Sequence, residues 1–176
     1  MNHNFGLIIE EPKPEDYILG YGSPVVKQIL FADGQVPEVY LPEGEIQKNN
    51  LIDYMHCVSE SATNCIEILL RTKFNNNLNL AERFLAKVSG TTPQGNSQRN
   101  VAEAFRKKGG VEESIWSKGV NMSWSQYYAS IPYKILNLAL KFLNNYTINY
   151  EWVNTDKDSL KEALKYGPLQ VIGFAW

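Results

Sequence analysis

Asp53-Tyr54-Met55-His56-Cys57-Val58-Ser59-Glu60-Ser61-Ala62-Thr63-Asn64-Cys65-Ile66-Glu67 holds both cysteines of the chain. Cys57 is the candidate nucleophile. Val58, Ala62, Cys65, Ile66 and Leu69 recur at i, i+4, i+7, i+8 and i+11, so one helix is expected from Cys57 to Arg71 with these residues as its apolar stripe. Cys57, Ser61 and Asn64 lie on another, polar face, with the Cys57 thiol in the first turn. There the positive end of the helix dipole favours thiolate over thiol, and a thiolate attacks carbonyl carbon to form a thioester. Asp53 is one candidate N-cap; a start one or two residues later is the other. The plainer reading of Cys57 is a small hydrophobe that happens to begin a helix. Cys65, on the apolar stripe, is read as packing.

In this register Cys57, Ser61, Ala62 and Glu67, with apolar Ile66 before the Glu, resemble the nucleophile helix of papain-like cysteine peptidases. Val58, Ser59 and Glu60 depart from the Trp, Ala and Phe usual there, and Tyr54-Met55-His56 replaces the usual Cys-Gly-Ser. The resemblance is to divergent, phage-encoded members of that group. It implies an α+β papain-like fold: a helical subdomain around the cysteine helix and the beginning of a subdomain built on a mixed or antiparallel sheet. It also implies an oxyanion donor shortly before the nucleophile. The usual position is taken by Leu51, and of the nearby amides Gln47 and Asn50, Gln47 is preferred as that donor. A Gly-containing loop ahead of the third helix pairs with substrate backbone in the family, which makes Gly95 and Asn96 the substrate-binding candidates. An ordinary loop leading into a helix is the alternative for that pair.

The elements that must position these residues are read from periodicity and punctuation. Residues 1–50, rich in Gly and Pro, form an extended approach segment, with Asp33-Gly34 as a turn between short strands at Val25–Phe31 and Val36–Leu41. Gly20-Tyr21-Gly22-Ser23 is read as a turn and not as a phosphate loop, because no strand-then-helix context surrounds it. Residues 51–130 form the helical subdomain, with helices at Leu80–Val88 and Ser97–Lys108 and a capping box at Ser123-Trp124-Ser125-Gln126. Residues 131–176 open the second subdomain. It has a helix from Pro132 to Asn144, a half-buried strand at Ile148–Val153, a helix capped by Asp156 and ended by Gly167-Pro168, and a buried strand at Leu169–Trp176.

Composition bounds the function classes. A chain of 176 residues, 44% hydrophobic and 20% charged, supports one globular domain with a sizeable core. A net charge of −2 gives no electrostatic case for nucleic acid or an anionic membrane surface. No apolar run approaches the ~20 residues that span a bilayer, and the first residues do not read as a signal peptide. Two cysteines eight residues apart on one helix are separated by roughly 12 Å along its axis, too far for a disulfide. A reducing compartment follows: the cytoplasm, or the host cytoplasm or virion for a phage protein. The two His and two Cys match no metal-ligand spacing, and no cofactor or metal is expected.

In the family the general-base histidine and its orienting Asn or Asp lie beyond the strand at Leu169–Trp176. Neither His3, in a terminal segment, nor His56, whose side chain diverges from its neighbour on the helix, substitutes for that base. Three readings follow. In the first, the chain is the amino-terminal part of a papain-like peptidase or amidase acting on a protein or peptide, with its base beyond Trp176. In the second, it keeps the fold without the chemistry, as a structural or interaction component among other virion proteins. In the third, it is an unrelated α+β binding domain.

Overall fold

The structure, a computed structural model, describes residues 6–21, 27–44 and 46–171. Their regular elements are a 3₁₀ turn at Glu38–Tyr40 and six helices: α1 (Cys57–Phe74), α2 (Glu82–Val88), α3 (Gln98–Lys108), α4 (Trp124–Tyr127), α5 (Tyr133–Asn145) and α6 (Lys157–Leu164). Pairing between extended segments is confined, among the described residues, to isolated bridges, so no sheet is seen. The expected strand at Ile148–Val153 supplies one parallel bridge, Trp152 to Ile18, with the Trp152 N–H donating to Tyr17 O and the Leu19 N–H to Trp152 O. The expected strands flanking Asp33-Gly34 do not form among the described residues: the Gly34 N–H closes a turn onto Phe31 O, and Val36–Leu41 holds the 3₁₀ turn. Val25 and Val26 of that pair, Gly22 and Ser23 of the Gly20–Ser23 run, and the last five residues of Leu169–Trp176 lie outside the described residues.

The chain divides into two compact units, each discontinuous in sequence. The first comprises Met1–Glu10, Glu43–Thr63 and Leu78–Asn149, and the second Glu11–Pro42, Asn64–Asn77 and Tyr150–Trp176. The opening turns of α1 thus belong to the first unit and its remainder to the second.

The helix ends of the first unit follow from local polar chemistry. Ser97 caps α3 by accepting the Asn100 N–H, which satisfies a donor that the first turn cannot pair internally. Ser123 and Gln126 close a reciprocal capping box on α4. Pro132 stands at the N-cap of α5, one position before the helical residue expected for it. Ala81, Phe84, Val111 and Ala139 form the core of the unit, packed by Val88, Trp116, Ile131, Ile135, Leu136 and Leu138. α3 and α5 approach closely because Gly109, past the end of α3, has no side chain: a Cβ there would stand 2.0 Å from the Ala139 carbonyl oxygen.

A buried arginine ties the long loop after α3 into this unit. Arg83, 6% exposed on α2, donates to three carbonyls: Nε to Tyr127 O at 2.7 Å, one terminal nitrogen to Ser117 O at 2.8 Å, the other to Gln126 O at 2.6 Å. Its guanidinium also lies 4.5 Å from the Trp116 ring centroid. The planar fork satisfies three carbonyls at fixed angles, which a lysine cannot do.

In the second unit Asp156 caps α6 by accepting the N–H groups of Asp158 and Ser159. Just past α6, Lys165 O accepts from both Leu30 N–H and Phe31 N–H. Arg71 donates to Tyr40 O at 3.2 Å and pairs with Glu67 at 3.6 Å. Glu67, 2% exposed, is therefore a buried carboxylate with a cation one turn away.

Replacing Arg83 by Lys is expected to remove about 2–4 kcal/mol of stability, since buried carbonyls lose charge-assisted partners. Urea unfolding at neutral pH reads it. An unchanged midpoint would mean that the three hydrogen bonds are replaced by solvent without loss.

Candidate active site

α1 begins at Cys57, as the sequence predicts, and runs one turn past Arg71. Asp53 is not its cap. The Asp53 carboxylate accepts from Met55 N–H at 2.9 Å and from the Gln47 side-chain amide at 3.2 Å, while the first intrahelical bond runs from Glu60 N–H to His56 O. The hairpin that delivers Cys57 is closed by Tyr54 N–H to Gln47 O, an antiparallel bridge of Lys48 with Asp53, and Asn49 Oδ1, which accepts from Leu51 and Ile52. Met55 takes a left-handed backbone (φ 54°), the sharp bend that turns the hairpin into the helix.

The buried face of α1 shares only Val58 with the expected stripe. Val58, Ser59, Thr63, Glu67, Ile68 and Leu70 are buried, whereas Ala62, Cys65, Ile66 and Leu69 are half-buried. Polar members of the buried face bond locally: Thr63 Oγ1 donates to the carbonyls of Ser59 and Glu60.

Beneath the nucleophile position lies an aromatic support. Tyr54 and Tyr127 stack with ring centroids 4.1 Å apart, and His56, 1% exposed, packs edge-on to both. The Tyr127 hydroxyl lies 2.9 Å from His56 Nδ1, and burial holds that phenol far above its usual range, so it stays protonated. His56 Nε2 has no hydrogen-bond partner and lies 4.0 Å from Glu60 Oε2. Tyr128 donates to Tyr54 O at 2.6 Å. Tyr127 and Tyr128 are therefore positioning residues for the hairpin end. Their capping-box helix is legible in sequence, their destination is not.

Burial lowers the His56 pKa from 6.5 to about 4, outweighing the opposing pull of Asp53. His56 is thus a neutral core residue and not the general base. His3, the second histidine, lies outside the described residues. Cys57 is half-buried, and the direction expected for its thiol is reversed. Burial pushes the pKa up, Glu60 and Asp53 push the same way, and the backbone N–H of Val58 opposes them without prevailing. Burial raises the Cys65 thiol to about 11, consistent with a packing role.

The other site candidates separate. Gln47 sits at the foot of the hairpin with its amide on Asp53. Gly95 and Asn96 form, with Cys57, one neighbourhood that also holds residues 6–8, which sequence reasoning left as an undirected approach segment. Asn96 N–H donates to Gly6 O at 3.1 Å and Ile8 N–H to Asn96 O at 2.8 Å, a parallel bridge centred on Leu7 and Asn96. A Cβ on Gly6 would lie 3.4 Å from Cys57 Sγ, and one on Gly95 would lie 1.9 Å from Gly6 O. The Asn96 side chain is turned inward, where its Nδ2 donates to Ser89 Oγ at 2.9 Å and its Oδ1 accepts from the Ser97 N–H, so its backbone alone faces the paired segment. Among the described residues no cluster of three His, Cys, Asp or Glu side chains could hold a metal, and no helix is long and apolar enough to cross a membrane.

No protein-family model matches the sequence, and no curated protein sequence matches it. Among solved structures the chain is similar to xylellain, a cysteine protease from Xylella fastidiosa, with a TM-score of 0.60 at 16% identity over 92% of this chain. The chain spans 63% of the xylellain chain's length. The likeness supports the papain-like fold expected from the sequence, and it is a likeness of fold.

Two outcomes are expected. Since neutral His56 is favoured by the fold, its contribution is complete above about pH 6.5 and is lost as pH falls toward 4, a change on the order of 3 kcal/mol. Urea unfolding of the unaltered chain and of His56→Gln at pH 7 and 4.5 checks this, and the acid-side difference is expected to vanish in the variant. Glu60→Gln removes a negative charge beside the thiol, so the alkylation midpoint of Cys57 moves to lower pH while that of Cys65 stays; a pH series of iodoacetamide labelling reads both.

Proposed function

We propose that the chain is the nucleophile-bearing part of a papain-like cysteine peptidase or amidase that acts on a protein or peptide. One observation carries the reading. Cys57, at the first position of a long helix, lies in one neighbourhood with Gly95 and Asn96, and the Asn96 backbone is already hydrogen-bonded to the backbone of Gly6 and Ile8. An acyl-transfer nucleophile and an edge that takes backbone are the two parts such chemistry needs.

In this reading the Cys57 thiolate attacks the substrate carbonyl, the amine leaves, and water resolves the thioester. The developing oxyanion is met by the Cys57 backbone N–H, with Gln47 as second donor only if its amide leaves Asp53. Since burial and Glu60 disfavour the thiolate, a base must take the thiol proton, and the described residues do not supply that imidazole. The base would come from a further segment.

A second reading has its own support. The raised thiol and the sequestered His56 fit a domain that keeps the fold as a structural or interaction component, with other virion proteins as partners if it is phage-encoded. We place it second because it does not account for the backbone edge next to the sulfur. The compartment proposed is the cytoplasm, or the virion in the phage case.

The readings diverge when the missing base is supplied in solution. With a peptide thioester as acyl donor and added imidazole, the peptidase reading expects mass spectrometry to find the acyl group on Cys57 in preference to Cys65, and Cys57→Ala to abolish its release to water. Equal acylation of the two cysteines, or release unchanged in Cys57→Ala, would leave only the structural role.

A further inference from the structure

Glu60 stands one turn along α1 from Cys57 and carries a charge that nothing nearby balances. Residues three apart on a helix are neighbours, with Cβ atoms about 5–6 Å apart, so carboxylate and thiol share one side of the first turn. The Glu60 side chain is 16% exposed, and its one ion-pair partner among the described residues is His56, with Nε2 at 4.0 Å from Oε2. His56 is neutral at physiological pH, so it supplies no positive charge. Asp53, the other charged group that acts on the thiol, is negative too, and is engaged by the Met55 N–H and the Gln47 amide. Burial raises the Glu60 pKa above the ordinary carboxylate value, as expected of a charge that is partly desolvated and left without a cation.

A second unmet group faces the same carboxylate. His56 is 1% exposed, and its Nε2 has no hydrogen-bond partner. In the tautomer with its proton on Nδ1, toward the Tyr127 hydroxyl, Nε2 is an acceptor. At 4.0 Å, Nε2 and Glu60 Oε2 are too far apart to bond each other. One ammonium nitrogen spans such a gap with two hydrogen bonds of about 2.8 Å. Nε2 is closed to solvent and Glu60 is not, so an arriving cation meets the carboxylate first.

We propose that Glu60 is a specificity-determining residue that binds a primary ammonium of the substrate, a lysine side chain or a free amino terminus, close to the bond Cys57 attacks. The bound cation offsets the repulsion between Glu60 and the developing thiolate, so the correct substrate helps to ionise its own nucleophile. This deepens the peptidase reading and rests on it for the substrate; the charge preference of the thiol does not depend on it.

That preference is measured without turnover. Cys57 is labelled with methanethiosulfonates of similar size carrying ethylammonium or ethylsulfonate, and the two rates, each divided by that of free 2-mercaptoethanol, are compared by peptide mapping. The ratio of the two at one thiol cancels its degree of ionisation, so a purely structural role for Glu60 does not move it. The cation is expected to be favoured about tenfold at Cys57, the preference falling severalfold in Glu60→Gln, persisting in Glu60→Asp and shrinking in 1 M salt. Faster labelling of Cys65 in Glu60→Gln reveals a loosened fold, and Glu60→Asp with the salt series then carries the decision. No preference at Cys57, or a preference that a folded Glu60→Gln retains, overturns the proposal. Acyl donors tell the sources of the ammonium apart: an Nα-acetyl-lysyl thioester and an alanyl thioester with a free amino group, each set against an Nα-acetyl-leucyl thioester with imidazole added. Faster acylation by either charged donor, lost in Glu60→Gln, supports the proposal and names the source. Failure of all three donors to acylate Cys57 would count against the peptidase reading and leave the labelling result standing.

Discussion

Arg83 sets the frame of the candidate site from a distance. One guanidinium, buried on α2, receives the carbonyls of Ser117, Gln126 and Tyr127 and so fixes where α4 stands. Tyr127 then reaches His56, and Tyr128 reaches the carbonyl of Tyr54. The two residues thus held are the last rigid points before Cys57. A buried cation is expensive to desolvate, and this one is tolerated because planar donors meet carbonyls that would otherwise be unpaired. The position of the sulfur therefore depends on a residue 26 positions away that touches none of the reacting groups.

The electrostatics of the thiol show competing effects being resolved by magnitude. A helix start and an adjacent N–H favour the thiolate. Desolvation of a half-buried sulfur acts the other way, and Glu60 on the next turn adds a like charge. Burial wins. Burial likewise keeps His56 neutral and Tyr127 protonated, so neither supplies a positive charge to offset Glu60 beside the sulfur. Such a cluster is a stable seat for a nucleophile and a poor source of the proton acceptor it needs.

The segment beside the sulfur, residues 6–8, gives the site a further property. Its contacts are mainly backbone to backbone, so they specify shape and direction and little side-chain chemistry. The close approach of Gly6 to Gly95 is a steric statement about both residues, since a methyl group on Gly95 would occupy the carbonyl of Gly6.

Much of the helical architecture was legible in the residues alone because helix ends are settled within a turn. Ser97, Ser123 and Asp156 accept N–H groups two or three residues ahead, and those bonds require no partner from elsewhere in the chain. The start of α1 at Cys57 was legible for a similar reason. Other matters were decided by groups far away in sequence. Periodicity named Ala62, Ile66 and Leu69 as the inner face of α1, yet Ser59, Thr63 and Glu67 are the more buried; local bonds offset the cost for Thr63 and Arg71 offsets it for Glu67. The amide of Gln47 went to Asp53 because hairpin closure brings the two together. The alternating pattern at Ile148–Val153 does not build a sheet among the described residues, where its backbone pairs only with Tyr17 and Leu19. By itself the sequence determined where the helices begin and which cysteine heads one. Only the tertiary structure decided the charge state of that cysteine and the segment that lies over it, since desolvation and backbone pairing depend on neighbours that local residue patterns do not specify.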